Sequence, residues 1–186
     1  MTFALVPVLC AGIFDFMVTK ASMERELFQR TARVVSNTRR SVTFFLAKHR
    51  AALKFIVRSS SFEDLRKPLQ LYRYLEDLQV VFQEAFTDLG VIDGAGIQIA
   101  YTGPFKLEGV DYSGQWWFKE VLLHGVYVSD VFLGYRQVPH LVIAVSHESQ
   151  DGSIYVLRAT VDTVRFNSLL ADFQLSKHGS AFIINR

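Results

Sequence analysis

From Thr19 to about Ser59 the chain contains neither glycine nor proline. Within that stretch apolar or small residues recur at Met23, Leu27, Thr31, Val34, Thr38, Val42, Phe45, His49, Leu53 and Ile56. The steps between them run 4, 4, 3 and repeat, a helical period of about 3.67 residues per turn. Arg25, Arg30, Arg33, Arg39, Arg40, Lys48 and Arg50 populate the remaining surface. At 1.5 Å per residue this is a rod of roughly 60 Å, far longer than the usual globular helix. Such a rod can carry a domain away from a membrane and pair with a second copy of itself. It can also pack on its own domain, and both can hold along different stretches.

The residues beyond the rod must supply the core. The chain has 186 residues, half of them hydrophobic and a fifth charged, which suits one folded domain, or one domain plus a fragment. Formal net charge is +2, from 20 basic and 18 acidic residues. That balance argues against a nucleic-acid partner, which calls for a concentrated basic surface. Cys10 is the single cysteine, which excludes an internal disulfide framework and a cysteine zinc cluster.

The segment before the rod is apolar. Met1 to Phe14 carries no charged side chain, and Asp15 comes next. A spanning helix needs about 20 apolar residues, so this run is short, and no Lys or Arg precedes it as in a signal peptide. Three readings stand: the outer end of a membrane anchor that begins upstream, a poor signal peptide, or a buried helix. Under the first, everything after about Lys20 lies beyond the membrane.

After the rod, SSSFEDLR (residues 59–66) reads as a break and a fresh helix start. Ser61 is its cap, with Asp64 three positions on. A second helix over Leu69 to Phe86 presents Leu71, Tyr74, Leu75, Leu78, Phe82 and Phe86 on one face. The period then changes. Leu89–Ile92, a Gly94-Ala95-Gly96 turn and Ile97–Tyr101 form a hairpin. A short helix over Gln115–His124 is stopped by Gly125. Strands come at Val126–Leu133, Leu141–His147 and Ile154–Val161, then a helix at Thr163–Phe173 and a strand at Ser180–Asn185. A long helix, two strands, a helical linker and three antiparallel strands make an α+β order of the PAS-like kind. Strands and long helices do not alternate, which excludes a doubly wound nucleotide fold.

Enzyme and metal signatures are weak. The glycines at 94 and 96 lack the third glycine of a dinucleotide site, and no P-loop lysine comes after them. His49, His124, His140, His147 and His178 show no metal-ligand spacing. There is no G-x-S-x-G elbow. We therefore expect neither catalysis nor a cofactor from this chain.

The stretch YTGPFKLEGVDYSGQWWFKEVLLHGVYVSDVFLGYRQVPHLVIAVSH, then YVLRATVD, resembles the double Cache extracellular sensor domains of bacterial sensor histidine kinases and chemoreceptors. The resemblance rests on several motifs in order, Y-x-G-P-F, D-Y-S-x-Q-x-W-F and Y-V-S-D-V-F-x-G-x-R-x-x-P-H, and covers about residues 20–186. It implies a possible membrane anchor at 1–18, a stalk and homodimerisation helix at 19–60, and a membrane-distal module at 61–175. Residues 176–186 would begin a membrane-proximal module that stops short, so the chain reads as a fragment. The implied role is ligand sensing outside the cytoplasm by an inner-membrane receptor.

In amino-acid-binding members of that family an Arg-x-Trp-Tyr motif on the short helix holds the ligand carboxylate, and an Asp after the last distal strand holds its ammonium. On this chain those positions fall on Gln115, Trp117, Phe118 and Asp162. Gln115 replaces the arginine and Phe118 the tyrosine. A glutamine offers neutral hydrogen bonds in place of a bidentate charged clamp, which puts a free carboxylate in doubt and favours an amine beside Asp162 and an aromatic wall. Trp117 and Phe118 serve equally well as core residues, and Asp162 as a helix cap. Asp130 and Arg136 are expected either to pair across their turn or to touch a ligand. Tyr101 and Tyr127 are pocket walls or strand-face residues, and His140 reads as a strand-edge residue. The expected ligand is an amine or an amino-acid-like compound; the alternative is a PAS-like dimerisation module with its pocket filled by its own aromatics.

Overall fold

The computed structural model describes residues 5–83 and 85–162, and the side chains from Phe14 to Val161 other than Ala21, Leu27 and Glu84. Its elements are helices α1 (Leu5–Ser59), α2 (Phe62–Arg66) and α3 (Pro68–Val81), strands β1 (Phe86–Asp93) and β2 (Gln98–Thr102), helix α4 (Trp116–His124), strand β3 (Val126–Val128), a 3-10 turn (Gly134–Arg136), and strands β4 (His140–Glu148) and β5 (Ile154–Asp162). The helix and strand expected after Asp162 lie outside the described residues.

The five strands form one antiparallel sheet in the order β2-β1-β5-β4-β3. The α+β class expected from the sequence is the class observed. β5, the last of the described strands, lies in the middle between β1 and β4.

α1 is a single helix whose apolar stripe changes partner along its length. Met23 and Thr31 are exposed, Val34, Thr38, Val42 and Phe45 are half-buried, and His49, Leu53 and Ile56 are buried. The last turns of the helix lie on β4 and β5. The free part of the helix also exposes Phe14, Phe16, Met17, Val18 and Phe28, so the reading of the N-terminal segment as a buried helix does not hold for residues 14–18. No helix among the described residues is long and apolar enough to cross a membrane.

Ser61 caps α2 as its position suggests: its hydroxyl accepts the Asp64 amide N–H at 3.1 Å. Pro68 occupies the first turn of α3, where its missing N–H costs nothing. Leu71, Leu75 and Leu78 turn inward from α3. The helix ends at Val81, short of the Phe86 expected. The Phe82 N–H closes the last turn on the Leu78 carbonyl, Gln83 takes a left-handed φ of 53°, and Phe86 then pairs with Val161 in the sheet.

Each strand divides its side chains between two cores. Leu89 and Val91 of β1, Leu141, Ile143 and Val145 of β4, and Tyr155, Leu157, Ala159 and Val161 of β5 join Leu53, Leu71 and Leu75 in one apolar core. The opposite face holds Ile92, Val142, Ala144 and Val156 against Tyr112, Trp117, Phe118 and Val121 of the α4 side. The strand expected over Val126–Leu133 is only three residues long. The Ser129 hydroxyl accepts the Val142 N–H at 2.8 Å in place of a backbone carbonyl, which ends the ladder.

Candidate functional site

The α4 face of the sheet carries a buried charged cluster. Asp88 of β1 is 0% exposed, Arg158 of β5 is 1% and Arg136 is 9%. Arg158 donates from Nε to the Gln98 Oε1 at 2.7 Å and from Nη1 to Asp88 Oδ1 at 3.2 Å. Arg136 Nη2 forms an ion pair with the other Asp88 oxygen. Tyr101 donates its hydroxyl to Asp88 Oδ2 at 3.0 Å and accepts the Phe105 N–H at 3.2 Å. Burial, then the Asp88 charge, pushes the Tyr101 phenol well above its ordinary range. Each guanidinium also rests on rings, Arg136 on Phe105 and Arg158 on Tyr101 and Tyr112, a contact that favours cations.

Two details of backbone geometry build this cluster. In β2 the pairing skips a residue, Val91 facing Ala100 while Ile92 faces Gln98. The extra residue, Ile99, is a β-bulge, and it puts Gln98 and Tyr101 on the same side although they are three apart. Gly90 lies beneath: a Cβ there would collide with Gln98 Oε1 and sit 3.2 Å from Arg158 Nε. A side chain at position 90 would force those two groups apart.

Beside the cluster is a cavity of about 10 Å³, lined by Tyr112, Gln115, Trp117, Arg136, His140 and Arg158 among others, enough for about one water. The 3-10 turn forms part of its wall, and the Tyr135 hydroxyl donates to the Asp111 carbonyl at 2.9 Å. His140 Nδ1 donates to the Val138 carbonyl at 2.7 Å, since the carbonyl can only accept. Burial lowers the His140 pKa and the nearby Arg136 and Arg158 charges add to this, against the Val138 hydrogen bond and the Asp88 charge.

The expected site residues separate into those at the cavity and those away from it. Gln115, Trp117 and Arg136 line it. Tyr101 stands behind it on Asp88. Phe118 is buried in the adjoining core, and Tyr127 is half-buried against Trp116. Asp130 is exposed. Arg136 pairs with Asp88 and not with Asp130, because the 3-10 turn carries Arg136 inward while Asp130 stays at the surface. The Asp162 backbone pairs with His140; its side chain is outside those described. His140, expected at a strand edge, instead opens an inner strand and is buried at the cavity.

Asp88, Gln98 and Arg158 do not stand out from the sequence as site residues. A signal is nevertheless present: within the apolar strands FTDLGVID and IYVLRATV, Asp88 and Arg158 stand at interior positions with opposite signs, Asp93 lying at the strand end, and buried charges are paired. No group of three or more metal-ligating side chains gathers among the described residues.

No protein-family model matches the chain, and no curated protein is significantly similar to it in sequence. Solved structures share its fold. The extracellular domain of the candidate histidine kinase rpHK1S-Z16 matches with a TM-score of 0.58 at 17% identity, over 72% of this chain and 56% of that one. The sensory domain of the Campylobacter jejuni chemoreceptor Tlp3 matches with a TM-score of 0.64 at 12% identity, over 82% of this chain and 67% of that one. The Tlp3 ligand-binding domain in complex with L-valine gives 0.64 at 13% identity, over 81% of this chain and 66% of that one. The chain therefore spans little more than half the length of the kinase domain. The likeness is one of fold, a long helix and then an antiparallel sheet, and it is the fold that the sequence motifs imply.

Proposed function

We propose that this chain is the small-molecule-sensing portion of a membrane-bound signal-transduction receptor, of the sensor histidine kinase type, and is not itself an enzyme. A chemoreceptor output is the alternative. The cavity walled by Trp117, Tyr112, Gln115 and the two buried guanidiniums carries the reading. It sits on the sheet face opposite α1, and the fold is shared with extracellular sensor domains, one of them determined with an amino acid bound. In this reading residues 1–18 anchor the chain, 19–60 form a stalk that pairs with a second copy, 61–175 are the distal sensing module outside the cytoplasm, and 176–186 begin a proximal one. The exposed apolar residues on the free part of α1 support the pairing.

Sensing requires that a ligand bind two arrangements of the module unequally. The cavity admits about one water, so a larger ligand must displace the Tyr135 turn, and that displacement distinguishes the two states. The small volume also favours a second reading, a dimerisation module whose aromatics fill their own pocket.

A thermal-shift screen of the 186-residue chain against amines, amino acids, carboxylates and nucleobases separates them. A ligand at about 100 times its dissociation constant adds about 2.7 kcal/mol, a shift of a few degrees. A hit that Gln115→Ala weakens supports the sensor. A folded chain with no hit supports the dimerisation module. Trp117 is a poorer probe than Gln115, because it is 1% exposed and its truncation costs about 3–5 kcal/mol by packing alone.

A further inference from the structure

We propose that the cavity takes the carboxylate of a small organic acid, held by Arg136 and Arg158, and that the ligand needs no ammonium group. This rests on the sensor reading and specifies its ligand. Among the described side chains, Asp88 is the sole carboxylate that either guanidinium meets. Two buried cations share one buried anion, which leaves an excess of one positive charge where water is scarce. Arg158 spends Nε and Nη1 on Gln98, Asp88 and Thr160, while its buried Nη2 has no hydrogen-bond partner. Arg136 Nη2 is held by Asp88, so Arg158 Nη2 is the guanidinium nitrogen left to pair. Both residues line the cavity. Buried polar groups without partners are costly, and buried charge is tolerated when paired. A carboxylate in the cavity satisfies both needs, since its oxygens accept from guanidinium N–H groups in charge-assisted bonds.

The clamp arises where the sequence did not suggest it. The family position for the carboxylate-binding arginine is Gln115 here. Arg136, from the 3-10 turn, and Arg158, from the central strand, bring cations to the cavity that Gln115 also lines. An amine would meet that excess positive charge unfavourably. The preference for an amine, drawn from Gln115, Asp162 and the aromatic wall, is replaced in this proposal by one for an anion.

The test is a matched series on the full chain by calorimetry and thermal shift: acetate, isovalerate, L-valine and isobutylamine. Isovalerate keeps the carboxylate of L-valine and drops its ammonium; isobutylamine does the reverse. Acetate or isovalerate is expected to bind and isobutylamine not to. Arg136→Gln leaves Arg158 and Asp88 balanced one to one, so it should fold and should weaken isovalerate by more than about tenfold, which is 1.4 kcal/mol. Gln115→Glu alters a half-buried residue and should abolish carboxylate binding by repulsion, with the far-UV spectrum unchanged. Binding of isobutylamine alone, or of L-valine with loss in Asp162→Ala and none in Arg136→Gln, overturns the carboxylate site and leaves the sensor reading standing. Binding of none of the four by a folded chain overturns the carboxylate site, and only the wider ligand screen then decides whether the sensor reading survives.

Discussion

The two faces of the sheet are built on different principles. The face toward α1 and α3 is aliphatic and aromatic, with Leu53, Leu71, Leu89, Ile143 and Leu157 fully buried. Such a core is stabilised by area removed from water and tolerates exchange of one hydrophobe for another of like volume. The face toward α4 mixes Trp117 and Tyr112 with Asp88, Gln98, Arg136 and Arg158. There each polar atom needs a particular partner, so a single change is felt through the network. The first face holds the module on its helix. The second is specific in geometry and sets two buried guanidiniums against one buried carboxylate.

The sharpest way to break this contrast is Asp88→Ala. It strands two buried guanidiniums together, and removal of one partner from a buried ion pair costs about 3–5 kcal/mol. Urea unfolding should show the loss, and adding Arg136→Gln to that variant should restore part of it. Next comes the aliphatic face. Leu53→Ala should cost about 2–5 kcal/mol through the cavity it leaves. Met23→Ala, on the same stripe of α1 but exposed, should stay within about 0.5 kcal/mol in the monomer; a larger loss that depends on protein concentration would instead reveal pairing of that stretch. Gly90→Ala inserts a Cβ between Gln98 and Arg158 and should cost about 1–3 kcal/mol by overpacking.

The smallest effect is a pH dependence on the aliphatic face. His49 lies among Phe45, Phe82 and Phe86, and its buried Nε2 has no partner. Burial lowers its pKa, the Phe45 carbonyl opposes this, and Lys48 adds to the lowering. The unfolded chain therefore binds the proton more readily than the folded one. The stability that neutral His49 contributes is complete above about pH 6.5 and is lost as pH falls from there through the depressed folded value. Melting temperatures between about pH 7.5 and 5 should decline, and His49→Phe should flatten the decline relative to the parent.

The sequence discloses its helices and strands better than its site. The 4, 4, 3 stripe announces α1 because one face of a helix must repeat at the helical period. It does not say where along the rod the partner changes from solvent to sheet, because Met23 and Leu53 are the same kind of residue in the same register. The bulge at Ile99 hides the cluster: strict alternation in IQIAY puts Gln98 with Ala100, whereas the extra residue puts Gln98 with Tyr101. Arg136 is visible in its motif, but its partner lies 48 positions back at Asp88, and local spacing points to Asp130 instead.

The order of the strands bears on how the molecule is made. During synthesis β1 with β2, and later β3 with β4, emerge as separate ribbons, and both wait for β5 to come between them. A chain grows at about 5–20 residues per second, so the ribbon of β1 and β2 keeps an open edge for several seconds before residues 154–162 arrive. Arg158 comes with β5. The carboxylate of Asp88 is thus matched from the central strand only at the step that joins the two ribbons, and a nascent chain arrested before it has two ribbons that share helices but no hydrogen-bonded strand between them.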